Sequence, residues 1–246
     1  MSKIEKSVEL SIRRGYSKDL NRLTALSRWI LSTLHEMAAH DDRIYACKVR
    51  LKTIESFLEK ISADPEKVRI IRSYTGATRA IDDLVGARII SYLSSSLEGL
   101  HQEITSFHRM RLLKVTVHDQ EDHPAYEAFI KSLESDCAQR SGIFAKSDVS
   151  LEVRLNSSGY TGFHYVFEPK PVDPFYKKEP VLYKKFELQL RTIIQEAWSE
   201  VNHGVIYKGR SRYQIKRQKS ASLRTLAGVL RACDSAMSDI ANAKRI

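Results

Sequence analysis

The stretch KKFELQLRT, residues 184–192, alternates apolar and polar side chains along its length. Successive side chains of a β-strand point to opposite faces, so the phenylalanine and the leucines would share one side of a sheet. Glu187, Gln189 and Arg191 would then line the other side. An acid, an amide and a guanidinium suit either a solvated sheet face or a ligand-binding cleft, and this strand alone leaves both interpretations open.

The apolar pattern of the rest of the chain predicts helices at both ends and a sheet with interspersed helices between them. Helices are predicted over residues 18–40, 51–61, 97–108, 123–140, 193–206 and 212–242. Strands are predicted over residues 84–93, 112–118, 148–155, 162–169 and 184–191, with 148–155 and 162–169 paired as a hairpin. We therefore expect an α+β fold with a mixed sheet of about five strands flanked by helices.

The chain is strongly basic, with 40 Lys and Arg against 30 Asp and Glu and a formal net charge of +10. Such an excess attracts nucleotides, RNA or acidic membrane surfaces, although it also serves solubility alone. The three cysteines are isolated, and no run approaches the roughly 20 apolar residues of a membrane-spanning helix. The charged N-terminal segment lacks the apolar core of a signal peptide, so we expect a cytoplasmic protein without a zinc site, a disulfide or a membrane association.

A basic segment, RLKTIESFLEK, stands at residues 50–60. On a helix, Lys52, Ser56 and Lys60 would share one face because they are spaced four residues apart. Arg50 would stand at the entrance of that face. Ammonium, hydroxyl and guanidinium groups on one side suit a triphosphate, but a solvated basic face is the better interpretation of this segment taken alone.

Two acids precede the buried strand in IDDLVGARI, residues 81–89. Asp82 and Asp83 lie where a carboxylate is often held toward Mg²⁺, although such a pair also caps ordinary turns. Alternation would point Arg88 away from the side of Asp83 unless a bulge intervenes. Glu187 of the later strand could complete a metal site with Asp83, since Mg²⁺ takes one or two carboxylates together with phosphate oxygens.

The segment SSGYTGFHY, residues 157–165, has a glycine close to Tyr160 on either side. Glycines let a backbone approach a ligand, and the tyrosine ring offers a surface on which a base can stack. A plain hairpin with a packed tyrosine is the alternative. His164 follows on the strand, where a single histidine is more often structural than catalytic.

Together these segments resemble the synthetase domain of the RelA/SpoT family, the ATP:nucleotide 3'-pyrophosphotransferases that make (p)ppGpp. RLKTIESFLEK resembles the family's R-x-K-x-x-x-S-x-x-x-K helix, and DDLVGARI is similar to D-[IL]-x-G-x-R-[IV]. GYTGFH resembles G-Y-x-S-x-H, ELQLRT resembles E-[IV]-Q-[IL]-R-T, and EVNHGVIYK resembles E-x-x-H-x-x-x-Y-K. The resemblance covers residues 43–208 and implies a nucleotidyltransferase-like fold.

The resemblance also implies a role for each matching residue. Asp83 and Glu187 would be catalytic and would bind Mg²⁺, and Tyr160 would stack on the acceptor base. The ATP-binding residues would be Arg50, Lys52, Ser56, Lys60 and Arg88. The other acceptor-binding residues would be His164, Gln189, Arg191 and His203. In this reaction the acceptor 3'-hydroxyl attacks the β-phosphorus of ATP, which transfers pyrophosphate and releases AMP.

The chain departs from the family pattern on the acceptor side. RLNSSGY replaces the usual P-K-x-N-G-Y, Gly162 stands in place of a serine, and residues 112–147 form a longer insertion than compact members carry. The expected substrates are ATP and GDP or GTP, but the acceptor could instead be an adenosine nucleotide or the 3' end of tRNA, as in toxin-type relatives. A non-catalytic nucleotide- or RNA-binding module is a further alternative.

The resemblance divides the chain into three expected parts. These are an N-terminal helical extension over residues 1–42, the synthetase domain over 43–210 and a C-terminal basic helix over 211–246. The long members of the family carry a hydrolase domain before the synthetase, and the first part is too short for one. We therefore expect a small single-domain alarmone synthetase or a toxin-like relative, either of which could form a homo-oligomer or bind a neutralising antitoxin.

Overall fold

The computed structural model describes residues 4–120, 130–131, 149–156, 160–170, 185–202 and 216–243. Its strands are β1 (Ile44–Leu51), β2 (Val85–Ser91), β3 (Met110–Gln120), β4 (Ser150–Asn156), β5 (Gly162–Pro169) and β6 (Phe186–Thr192). Its helices are α1 (Lys6–Ala38), α2 (Ile54–Ser62), α3 (Pro65–Ile70), α4 (Tyr74–Ala80), α5 (Leu97–Ser106), α6 (Ile193–Asn202) and α7 (Lys216–Ala243). The expected α+β fold is confirmed.

All six described strands belong to one sheet, in the order β1-β2-β6-β5-β3-β4. The pairs β2–β6 and β3–β4 are parallel, and the other pairs are antiparallel. The sheet is therefore mixed, as expected, with one strand more than the sequence analysis proposed. The additional strand is β1, in which Lys48 and Arg50 alternate with the partly buried Cys47, Val49 and Leu51 of the opposite face.

The predicted hairpin between the fourth and fifth strands is wrong, because β3 lies between them. β3 pairs with β4 in parallel and with β5 in the antiparallel sense. β4 takes the outer position among the described strands, and its Val153 and Leu155 stay 39% and 55% exposed. β5 lies inside the sheet, where most of its residues are buried. Strands adjacent in sequence pair often but not always, and here the burial of β5 decides the order.

The core lies between the helix α1 and the apolar face of the sheet. Leu23, Leu26, Ile30 and Leu34 of α1 are fully buried, and Trp29 meets Phe186 of β6 edge to face at 6.2 Å. On the same side, α5 brings His101 to the hydroxyl of Tyr165. The opposite face of the sheet is left to polar side chains and to α6, which follows β6 directly.

The helix α1 begins twelve residues before the predicted start, at Lys6 instead of residue 18. Its extra turns continue the buried stripe with Val8, Ile12 and Tyr16, at four-residue spacing. The many charged residues of this segment made its apolar periodicity hard to recognise in the sequence. Of the predicted helix over 123–140, the structure describes only residues 130–131, which are helical.

The C-terminal helix α7 packs against α6 and the end of β6. Asp234 accepts a hydrogen bond from Thr192 at 2.7 Å, and Ser238 bonds to Ser94 at 2.9 Å. Within the described residues, no helix is long and apolar enough to span a membrane.

We expect opposite effects of Gly→Ala at two helical glycines. Alanine ordinarily stabilises a helix interior by about 0.5–1 kcal/mol relative to glycine. In α7 a Cβ on Gly228 would meet no atom within 4 Å, so Gly228→Ala should raise the free energy of unfolding. In α1 a Cβ on Gly15 would lie 2.3 Å from Cγ of Tyr74, so Gly15→Ala should lower it, since overpacking costs about 1–3 kcal/mol.

Denaturant unfolding of the two variants and the wild type measures both effects. A Gly15→Ala protein more stable than the wild type would contradict the close contact of α1 with Tyr74.

Candidate active site

The polar face of the sheet carries a continuous row of paired residues. Strand pairing aligns Lys48, Arg88, Gln189, His164 and Thr116 across β1, β2, β6, β5 and β3. Residues paired directly across neighbouring strands lie on the same face. The polar side of the KKFELQLRT stretch therefore belongs to a polar surface that crosses five strands.

Along β6 this polar surface is shielded from bulk water, although Lys48 on β1 is exposed. Arg191 is only 3% exposed, and Glu187 and Gln189 are half-buried. One row further, Gly86 of β2 is paired with both Arg50 and Glu187. A Cβ on Gly86 would meet no atom within 4 Å, so the face is open above this glycine. These observations favour a cleft over a solvated sheet face.

A basic and acidic cluster stands at the start of β2. Lys52 Nζ and Lys60 Nζ lie 2.9 Å and 2.7 Å from Asp83 Oδ2. The other oxygen of Asp83, Oδ1, is buried and has no hydrogen-bond partner among the described residues. The positive charge of Lys60 also lowers the pKa of Glu187.

The predicted shared helical face of Lys52, Ser56 and Lys60 is wrong, although the two lysines do meet. Helix α2 begins at Ile54, after the N-cap Thr53, so Lys52 lies before the helix. The exposed Ser56 belongs to this cap, because its backbone N–H donates to Thr53 Oγ1 at 3.2 Å. Lys52 and Lys60 converge on Asp83 because the chain turns between β1 and α2.

Arg50 and Arg88 differ in what they contact. Arg50 is exposed on β1, and no carboxylate in the described part of the chain pairs with it. Arg88 Nη1 lies 2.8 Å from a carboxylate oxygen of both Glu196 and Glu200, on α6. Binding of ATP by Arg88 stays a prediction, and it would require the guanidinium to share or exchange these partners.

Glu196 joins the sheet to α6, a contact that the sequence analysis missed. Its carboxylate lies 3.1 Å from Lys48, 2.8 Å from Arg88 and 3.3 Å from Arg191. Burial raises the pKa of Glu196, but the positive charges around it outweigh burial and lower the pKa below its ordinary value. Glu196 follows Arg191 by five residues on the next element, and nothing in the sequence pattern shows this contact.

Five predicted residues form a ring of polar contacts beside Gly86, four of which are hydrogen bonds. Tyr160 Oη and His164 Nε2 are 2.6 Å apart, and Arg191 Nη2 donates to Tyr160 Oη at 2.7 Å. The same Nη2 donates to Gln189 Oε1 at 2.5 Å. Gln189 Nε2 donates to Glu187 Oε1 at 2.5 Å, and His164 Nδ1 lies 3.4 Å from the same oxygen.

The Glu187 carboxylate is ionised at neutral pH. Burial raises its pKa, but hydrogen bonds from His164 and Gln189 and the charge of Lys60 together bring the pKa to about 2. Opposing effects of this size occur where a buried carboxylate accepts several hydrogen bonds.

The ring of Tyr160 is packed on several sides. The guanidinium carbon of Arg191 lies 5.2 Å from the ring centroid, and the Trp198 and His118 rings lie at 5.8 Å and 5.2 Å. The arginine covers one face, so at most the other face can receive a base. Stacking of the acceptor on Tyr160 stays a prediction, and His203 lies outside the described residues.

The two acids of the cleft fit a magnesium ion bound together with a nucleotide. No group of three or more His, Cys, Asp or Glu side chains able to hold a metal occurs among the described residues. Mg²⁺ needs only one or two carboxylates when phosphate oxygens complete its shell. The unpartnered, buried Oδ1 of Asp83 is an oxygen ligand of that kind. A shared site of Asp83 and Glu187 stays a prediction.

Residues 49–212, well over half of the chain, match the family described as "Region found in RelA / SpoT proteins". The chain therefore belongs to the RelA/SpoT family, and the resemblance found in the sequence is confirmed. Among curated proteins, none matches the sequence significantly.

Solved structures share the fold over almost the whole chain. Small alarmone synthetase 1 from Bacillus subtilis is 16% identical with a TM-score of 0.61, covering 94% of this chain and 98% of that chain. Small alarmone synthetase 2 from Bacillus subtilis is 19% identical with a TM-score of 0.59, covering 92% and 99%. A GTP pyrophosphokinase family protein from Streptococcus pneumoniae is 16% identical with a TM-score of 0.59, covering 94% and 93%.

We expect His118, at the edge of the ring, to make stability depend on pH. Burial and, after it, the neighbouring charges of His164 and Arg154 together lower its pKa from 6.5 to about 4. The unfolded chain therefore binds a proton between these pH values while the folded chain does not. The free energy of unfolding should fall as the pH drops from 6.5 toward 4.

Denaturant unfolding at several pH values in this window tests the expectation. His118→Gln should reduce the loss of stability on acidification, whereas His108→Gln, at an exposed histidine, should not. Equal pH dependence in His118→Gln and the wild type would contradict a half-buried His118 that stays neutral in this pH range.

Proposed function

We propose that this chain transfers pyrophosphate from ATP to the 3'-hydroxyl of a guanosine nucleotide and so makes (p)ppGpp. The observation that carries the proposal is the half-buried carboxylate of Glu187, which is paired with Gly86 beside the open space above that glycine, and whose pKa the charge of Lys60 helps to lower. Crystal structures of small alarmone synthetase 1 from Bacillus subtilis bound to its product pppGpp and bound to AMPCPP support nucleotides as ligands of this fold.

The donor side of the proposal rests on the cations near Asp83. Lys52 and Lys60 bring two ammonium groups within 3 Å of one carboxylate, and Arg50 has no acid partner among the described residues. These charges suit the phosphate oxygens of ATP. When bound by Asp83 and Glu187 with those oxygens, Mg²⁺ supplies further positive charge.

In the proposed reaction, the acceptor 3'-oxygen forms a bond to the β-phosphorus of ATP. The bond from that phosphorus to the oxygen bridging the α- and β-phosphates breaks, and AMP leaves. A carboxylate with a pKa of about 2 is a weak base, so Glu187 mainly orients the hydroxyl and accepts its proton as the new bond forms. Positioning and charge neutralisation contribute most to such transfers.

The experiment that tests this function incubates the purified chain with Mg²⁺, ATP labelled at the γ-phosphate and one acceptor at a time. We expect label on GDP or GTP. Label on ATP or tRNA instead would replace the proposed acceptor, and no label on any acceptor would contradict the function.

A tRNA acceptor is the second candidate because the chain carries a net charge of +10. Phosphate contacts make RNA binding steeply dependent on salt, whereas a free nucleotide would show a mild dependence. If tRNA takes the label, neutralising Lys216, Arg217 and Lys219 should reduce the salt slope. If the acceptor is GDP or GTP, these three changes should have little effect.

We expect Glu187→Gln to lower transfer by at least about a hundredfold, a loss typical of a missing acid–base or electrostatic group. The amide keeps the shape of the side chain and removes its charge, and the side chain points into the cleft and not into the core. Initial rates with labelled ATP measure the effect, and circular dichroism checks the fold.

The matched control is Glu168→Gln on β5. Glu168 is paired with Arg111 and lies two residues beyond Val166, the strand partner of Glu187. This variant should keep the wild-type rate. A fully active Glu187→Gln with an unchanged need for Mg²⁺ would contradict the assigned role.

A further inference from the structure

We infer that the hydroxyl of Tyr160 is a positioning group, which fixes the proton of His164 and through it the orientation of Glu187. Four hydrogen bonds and the 3.4 Å contact of His164 Nδ1 with Glu187 Oε1 close a ring of Tyr160, His164, Glu187, Gln189 and Arg191. The catalytic consequence rests on the proposed function, whereas the order of the hydrogen bonds does not.

The direction of each bond is assigned from Arg191, which can only donate, and from the carboxylate of Glu187, which can only accept. A guanidinium has only donors, so Tyr160 Oη must accept from Arg191. We assign the tyrosine's own hydrogen to His164 Nε2, which is 2.6 Å away and accepts it in this order. A neutral imidazole that accepts at Nε2 carries its hydrogen on Nδ1. That nitrogen is the one that faces Glu187 Oε1.

Tyr160 keeps the hydrogen that this order requires. Burial raises the pKa of its phenol, and the nearby positive charge of Arg191 only partly offsets this. The hydroxyl is therefore a donor at neutral pH. Gln189 completes the other side of the ring, because its carbonyl accepts from Arg191 and its amide nitrogen donates to Glu187.

Both sides of the ring end on the same carboxylate oxygen. His164 and Gln189 both approach Oε1 of Glu187, which leaves Oε2 for the reacting hydroxyl or for a metal. A carboxylate held at one oxygen cannot turn freely, so the other oxygen is presented in a fixed direction. Such preorganisation lowers the barrier because no reorganisation is needed during the reaction.

The ring is held from α6. Arg191 Nη1 lies 3.3 Å from Glu196 Oε2, and the ring of Tyr160 lies against Trp198, also on α6. Glu196 thus fixes the arginine, and Trp198 packs against the tyrosine to which the arginine donates. The position of α6 is transmitted to Glu187 through Arg191 and Tyr160.

A role in positioning and a role in stacking make different demands on Tyr160. Stacking on the acceptor base needs only the aromatic face, which phenylalanine also offers. Positioning of His164 needs the hydroxyl. Tyr160→Phe therefore separates the two roles, and Tyr160→Ala removes both.

The first measurement is the tautomer of His164 in the resting protein, by ¹⁵N NMR of the imidazole at neutral pH, with assignment by a His164→Gln variant. In the wild type we expect one neutral tautomer, with the hydrogen on Nδ1. In Tyr160→Phe, Nε2 loses its donor, and we expect a shift toward the tautomer protonated at Nε2. A wild-type ring protonated mainly at Nε2 would overturn the inference, whether or not the protein is active.

The second measurement is the kinetics of Tyr160→Phe with the acceptor that the wild type uses. We expect kcat to fall about tenfold, the scale of one lost hydrogen bond, while the KM values for ATP and acceptor change by less than about twofold. An unchanged kcat, or a raised acceptor KM alone, would overturn the positioning role. Tyr160→Ala should in addition raise the acceptor KM.

Tyr165→Phe is the matched control. Its hydroxyl lies 3.0 Å from His101 Nδ1, so this variant also removes a tyrosine–histidine hydrogen bond from β5, but on the core face. We expect a lower stability and an unchanged kcat, and an equal fall of kcat in both variants would overturn the inference. If the wild type transfers pyrophosphate to no acceptor, the proposed function fails, and the NMR measurement still decides the order of the ring.

Discussion

The buried guanidinium of Arg191 is the constraint on which the polar half of the molecule depends. A charge that is only 3% exposed is tolerated only when it is paired and hydrogen-bonded. Its partners come from three places: Gln189 on the same strand, Tyr160 before β5, and Glu196 on α6. Pairing its two Nη atoms therefore aligns a strand, a loop and a helix, whereas its buried Nε has no hydrogen-bond partner among the described residues. The alignment places the catalytic candidate Glu187 beside the open space above Gly86.

The fold could be predicted where its signal is local. Alternation along KKFELQLRT places the apolar side chains of β6 in the core and its polar ones in the cleft, because the period of a strand is a property of the strand alone. The same alternation is present around Val49 in β1, but only the helical pattern that follows it, at residues 51–61, was assigned from the sequence. The order of the strands could not be predicted from the sequence, because whether β5 pairs with β4 or with β3 depends on the burial of the whole sheet.

The residues of the site that lie in recognisable sequence motifs could be predicted. Lys52, Lys60 and Asp83, to which the family resemblance assigns ATP and metal binding, come together in the structure, but the lysines meet across a turn and not along a helix face. The role of Glu196 could not be predicted, because it neutralises cations that come from β1, β2 and β6. A sequence shows which positions carry charge, whereas the pairing of charges is decided by elements that are distant along the chain.

The ion pairs of the resting cleft also explain why its acids and bases belong to one site. Asp83 is stable near the core because Lys52 and Lys60 neutralise it, and a buried carboxylate without a partner would be costly. In the proposed reaction, the phosphates of ATP compete with Asp83 for the same two ammonium groups. The carboxylate then needs another cation, and its unpartnered Oδ1 is already available to one. Two lysines around one aspartate therefore suit a nucleotide that binds together with its metal ion better than they suit the nucleotide or the metal ion alone.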